Sequence, residues 1–142
     1  PYDDRKIFEC LVLESFQAGL SWRTVLHKRE NFRKAFAGFA PKRVAAFGAR
    51  DVARLLRDTG IVRNRAKIEA TINNAKRFLE VQKEFGSFSR YMWRWVSHEA
   101  TAWAKDLKER DFRFLGPTTL YAHMQAVGMT NDHETACFRY VR

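Results

Sequence analysis

A chain of 142 residues with 46% hydrophobic and 14% aromatic side chains is long enough for one domain with a real core, which excludes disorder of the whole. Its 26 Lys and Arg against 16 Asp and Glu leave a formal charge of +10, which points to a polyanionic partner, nucleic acid before an anionic membrane surface. No apolar run reaches the roughly 20 residues a transmembrane helix needs, and two cysteines, Cys10 and Cys137, are too few for a disulfide framework, so a reducing cytoplasm is expected.

The pattern predicts one all-α domain over residues 1–142, without repeats. The chain opens Pro1-Tyr2-Asp3-Asp4 without a Met, and an upstream segment is expected. Asp3 or Asp4 can cap a first helix with Ile7, Phe8, Leu11, Val12 and Ser15 on one face. Gly19 interrupts it, and Ser21 can cap a second helix carrying Trp22, Val25, Leu26, Phe32 and Phe36 up to Gly38. Pro41 suits the first turn of a short third helix. Asp51 starts a fourth, with Val52, Leu55 and Leu56 inward and Gly60 as its C-terminal cap. A long fifth helix is predicted from Asn64 to Glu84, with Ile68, Ile72, Ala75 and Leu79 in register. Gly86 stops it, and Ser87 caps a helix carrying Tyr91, Met92, Trp95 and Val96. Another spans about Ala102 to Arg110, then Phe112 to Leu115 reads as extended, and a last helix runs from Thr118 to Gly128. Strands alternating with helices are absent, which excludes an α/β nucleotide-binding fold.

Leu55 to Ile68 has the makings of a helix–hairpin–helix. Gly60 allows an abrupt end to one helix, Ile61 can plug the turn, and Ala66 is small enough for the two helices to approach. The next helix starts at once near Asn64, and its free N–H groups form an anion site. Arg63, Arg65 and Lys67 add positive charge. Hairpins of this kind carry Gly-apolar-Gly, whereas Val62 stands third here. An ordinary αα-turn with a basic rim fits the same residues.

Glu14 lies in a helix among the apolar Leu11, Leu13 and Phe16. A carboxylate there needs a partner: an internal Arg or Lys, solvent, or the exocyclic amino group of a base. Trp22, eight residues on, can stack on a base or fill the core.

Three blocks, QAGLSWRTVLHKRENFRKAF, GIVRNRAKI and KDLKERDFRFLGPTTLYAHMQAVGMTNDHETACF, resemble the 3-methyladenine DNA glycosylase I (Tag) family, in consistent order from about Phe8 to Cys137. The resemblance implies an all-helical helix–hairpin–helix glycosylase fold and hydrolysis of the N-glycosidic bond of 3-methyladenine in damaged double-stranded DNA, with free 3-methyladenine as product. Glu14 matches the family's base-reading acid, Trp22 its stacking tryptophan and Leu20 its duplex wedge. Gly60, Val62, Arg63, Asn64 and Arg65 fall on the DNA-binding hairpin, and His133 and Cys137 match half of a structural zinc site. The other two ligands are expected upstream of Pro1, and the connection at His98 to Thr101 is shorter than the family's, so a missing loop is expected there. No catalytic Asp follows the hairpin and no Schiff-base Lys is presented, so the expected enzyme is a monomeric, cytoplasmic, monofunctional glycosylase without lyase activity. The competing reading is a catalytically inactive DNA-binding homologue.

Overall fold

The computed structural model describes residues 3–17 and 21–129, the side chains of Trp22 and Leu26 aside. Every regular element among the described residues is helical: α1 (Asp4–Gln17), α2 (Trp22–His27), α3 (Arg29–Ala35), α4 (Pro41–Ala45), α5 (Ala49–Leu56), α6 (Arg65–Phe85), α7 (Phe88–Met92), α8 (Ala100–Glu109) and α9 (Pro117–Ala126), with 3-10 turns at Ala37–Phe39 and Trp93–Trp95. The all-α expectation holds.

Helix α1 is the centre. Its first turn is capped by Asp3, whose carboxylate accepts the Lys6 N–H at 3.0 Å. The one-sided helix read from the sequence does not form, because every residue from Ile7 to Phe16 is buried. The reason is topological: α1 packs against α2, α6, α7, α9 and the Ala37–Phe39 turn, and a helix enclosed on all sides has no wet face. Two acids, Glu9 and Glu14, go in with it.

Glu9 is neutralised by the protein. Its carboxylate accepts Arg29 Nε at 2.6 Å and Arg33 Nη2 at 3.1 Å. The two arginines are one turn apart on α3, so they reach the same acid from one face. Glu9→Ala takes from Arg29, itself buried, its 2.6 Å carboxylate partner. The expected loss is roughly 3–5 kcal/mol of unfolding free energy, which denaturant titration reads.

The second helix of the sequence reading is two, α2 and α3. The Lys28 N–H between them is shared by the carbonyls of Thr24 at 3.2 Å and Val25 at 3.1 Å, a local tightening that breaks the regular ladder. Ser21 caps α2 as expected, its Oγ accepting the Thr24 N–H at 3.1 Å. Gly38 does end the helical run, but Ala37, Gly38 and Phe39 all adopt left-handed φ, of 54°, 65° and 59°. That strain is offset by burying Phe39 against Phe8 and Phe36.

Asp51 is the third residue of α5 rather than its start; its carboxylate reaches back to the Gly48 N–H at 2.9 Å. In α6 the buried stripe holds Ile68, Ile72 and Ala75 but continues through Phe78 and Val81, not Leu79. Phe78 stacks on Phe88 with centroids 4.2 Å apart. Gly86 ends α6 with φ of 88°, and Ser87 Oγ caps α7 through the Arg90 N–H at 3.0 Å. Asp4 does not cap its own helix: its carboxylate accepts the N–H groups of Phe88 at 2.7 Å and Ser89 at 2.9 Å. The stretch Phe112 to Leu115 forms no helix and is clamped to α6, with Asn74 donating to the Arg113 carbonyl and accepting from its N–H, both at 2.8 Å.

Candidate functional site

The site begins at the C-terminal half of α1. Glu14 is 5% exposed, yet among the described residues its carboxylate forms no ion pair or hydrogen bond, in contrast to Glu9 five residues earlier. Burial alone pushes its carboxyl up from 4.5 to about 7. The internal Arg partner that the sequence left open for Glu14 therefore belongs to Glu9. A buried acid with an unspent acceptor and a raised pKa makes Glu14 a candidate binding or catalytic position. Trp22 is the first residue of α2, close downstream along the chain. Leu20, His133 and Cys137 lie outside the described residues.

The second part is the hairpin between α5 and α6. Ile61 plugs the turn into the core with 3% exposure, and Val62 is half-buried against the same core. Arg63, Asn64, Arg65 and Ala66 are exposed, so Ala66 is not the close-approach position the sequence suggested. Asn64 caps α6, its side chain accepting the Lys67 N–H at 3.1 Å. Among the described residues the Arg65 and Ala66 N–H groups meet no backbone acceptor, so at this exposed helix start they are open to solvent or to an anion. Arg65 has only a 3.9 Å contact with Glu69, both more than half exposed, an attraction worth little in water.

Gly60 is required for a different reason from the one read in the sequence. Its φ is not among the left-handed ones, and α5 ends at Leu56 with Arg57 as C-cap in ordinary αR geometry. Gly60 instead donates its N–H to Asp58 Oδ1 at 2.8 Å and lies against α3. A Cβ on Gly60 would meet Asn31 Cγ at 2.9 Å and Asn31 Cβ at 3.0 Å. The residue is needed for space, not for backbone freedom. Lys28 Nζ adds a long donation to the Thr59 carbonyl at 3.5 Å.

The methyladenine glycosylase family matches the chain over residues 1–102 and again over 96–140. The chain belongs to the methyladenine glycosylase family. Its relatives include DNA-3-methyladenine glycosylase 1 of Escherichia coli K12, 42% identical over 97% of this chain and 83% of that protein. The DNA-3-methyladenine glycosylase of Haemophilus influenzae is 40% identical over 96% of the chain and 83% of its own length. Among solved structures, the 3-methyladenine DNA glycosylase I (TAG) of Staphylococcus aureus, studied for its recognition of 3-methyladenine, superposes with a TM-score of 0.88 at 37% identity, over 96% of this chain and 82% of that one. The methyladenine glycosylase fold is thus shared at the level of overall architecture, not of isolated motifs.

Outside these two regions the family resemblance drew no attention to Glu9 or Asn31. The i,i+4 spacing of Arg29 and Arg33 was the available signal for the first. Nothing local marked the second.

Proposed function

We propose that the protein excises 3-methyladenine from alkylated duplex DNA by hydrolysing its N-glycosidic bond, with Glu14 reading the flipped base. The observation that carries this is the buried Glu14 carboxylate, which forms no ion pair or hydrogen bond among the described residues, in a chain of the methyladenine glycosylase family. A duplex hides the target bond, so the nucleotide must leave the stack, at a cost of a few kcal/mol. Leu20 is the wedge that fills the gap, and the hairpin from Gly60 to Arg65 grips phosphates. Trp22 supplies the stacking face.

The methylated base is a cation while still attached. In hydrolysis the C1′–N9 bond breaks, its electron pair neutralises the base, and water adds at C1′ with loss of a proton. Because the base leaves neutral, no strong general acid is required. What remains for the protein is capture, orientation and charge. Ionised Glu14 favours the cationic base and accepts from its exocyclic amino group. Guanine presents a carbonyl there, opposing two acceptors at a cost of roughly 1–3 kcal/mol.

Incubation with methylated duplex DNA tests the activity. Release of 3-methyladenine, with strands breaking only after alkali, is the expected result for a monofunctional glycosylase. Folded protein that binds duplex but releases no base would make the chain an inactive DNA-binding homologue.

No helix among the described residues is long and apolar enough to cross a membrane. With a charge of +10 and bacterial relatives, the protein works as a monomer in the bacterial cytoplasm. Structural zinc at His133 and Cys137 is a further proposal. Two ligands are half of the usual four, and among the described residues no group of three or more His, Cys, Asp or Glu could hold a metal. The residues described do not complete the site, and no catalytic step runs through zinc. Metal analysis belongs on reduced protein. Zinc is expected only where an upstream segment adds ligands, and should then be lost in His133→Ala. A zinc-free protein carrying that segment would refute the proposal.

A further inference from the structure

Helix α3 touches both parts of the site from opposite sides. Arg29 and Arg33 face α1 and close on Glu9 at 2.6 Å and 3.1 Å. Asn31 lies midway between them in sequence. At 3.6 residues per turn, a residue two positions from each is about 200° around the helix axis from both. It therefore faces away from α1, and there it meets Gly60 of the hairpin so closely that a single added methyl would collide. Lys28, just before α3, reaches the carbonyl of Thr59 in the same turn. On the other side, Glu9 and Glu14 share the rigid, wholly buried stretch of α1.

We propose that α3 is a spacer that sets the distance between the base-reading carboxylate of Glu14 and the phosphate-gripping hairpin, with Asn31 as a positioning residue at its outer face. This rests on the reading of Glu14 and the hairpin given above. Asn31 touches neither base nor phosphate in this account. It stops the hairpin from moving closer to α1, so that a duplex held at Gly60 to Arg65 presents its extruded base at the depth of Glu14. An ångström of misplacement at a reacting centre can cost up to about 100-fold in rate, while a phosphate grip by long, exposed arginines tolerates it.

The test is size complementation across the contact, on the whole chain. Gly60→Ala pushes the hairpin off α3, and Asn31→Leu enlarges the same contact from an exposed helical position where folding is less at stake. Both are read by single-turnover excision at saturating methylated duplex, by affinity for undamaged duplex and by melting. Each is expected to slow excision about tenfold, and in Asn31→Leu, which lies outside the phosphate-gripping hairpin, duplex affinity is expected to change less than about threefold, a split that simple destabilisation does not produce. Asn31→Gly added to Gly60→Ala removes the colliding atoms and is expected to restore most of the rate. Wild-type rates in folded Gly60→Ala and Asn31→Leu, or no recovery in the folded double variant, would overturn the spacer. The Arg63/Arg65 reversal described below tests the hairpin separately, so failure of the spacer and failure of the underlying reading are told apart.

Discussion

Glu14→Ala is expected to lower single-turnover excision of 3-methyladenine by about 100-fold or more, while binding to undamaged duplex stays within about twofold. The carboxylate sits on a buried helix, remote in sequence from the hairpin that is assigned the phosphates. Its loss removes an acceptor and a negative charge from a site of low dielectric, where both count for more than in water. Glu14→Gln keeps the volume and one acceptor, so its loss of excision is expected to be smaller than that of Ala. Gel-shift affinities beside quenched-flow excision separate the two functions. Equal losses in both would mean that Glu14 holds the fold of the DNA-binding surface rather than reading a base.

The second large effect is expected at the hairpin. Reversing Arg63 and Arg65 to Glu together should weaken binding to every duplex, methylated or not, by about 100-fold at low salt. Arg63 and Arg65 are exposed, and among the described residues the adjoining N–H groups of Arg65 and Ala66 meet no backbone acceptor. Two lost phosphate contacts also reduce the slope of log K against log salt by about 2. Excision per bound complex should fall far less. Unchanged affinity in the reversed variant would move the DNA contact elsewhere on this basic chain.

How far the sequence could be read depended on the distance of each partner. The stops and caps at Ser21, Asn64, Gly86 and Ser87 were legible because their hydrogen bonds close within three or four residues. Of the two candidate caps, Asp3 holds the first turn, while the job of Asp4 was not legible because its carboxylate accepts from Phe88 and Ser89, 84 and 85 residues on. The Asn74 clamp on Arg113 spans 39 residues and left no local mark. Helix α1 was read with one buried face, at Ile7, Phe8, Leu11, Val12 and Ser15, because the helices that enclose its other sides come from distant parts of the chain; Glu9 is paired inside, and Glu14 is buried with no ion pair or hydrogen bond among the described residues. Gly60 was picked out as special through the conformational freedom of glycine, and it is special because Asn31 leaves no room for a Cβ. Residue type singled out Gly60, and tertiary packing supplies a different cause for a glycine there.

The central claim, that Glu14 is held in the fold for a ligand and not for stability, is tested most directly by melting Glu14→Gln against the parent protein across pH, with excision followed on the same samples. The folded protein holds the Glu14 proton up to about 7, against an ordinary carboxylate value of 4.5. Below 4.5 the group is protonated in both states and the carboxyl charge contributes nothing. Between those values the unfolded chain ionises first, so stability falls as pH rises. Above about 7 the full cost stands, on the order of 3 kcal/mol. Gln carries no charge to bury. The account predicts that at pH 8 Glu14→Gln melts a few degrees higher than the parent, that the difference shrinks as pH is lowered toward 4.5, and that excision is impaired throughout. A variant that melts lower at pH 8 and excises 3-methyladenine at the parent rate would contradict it.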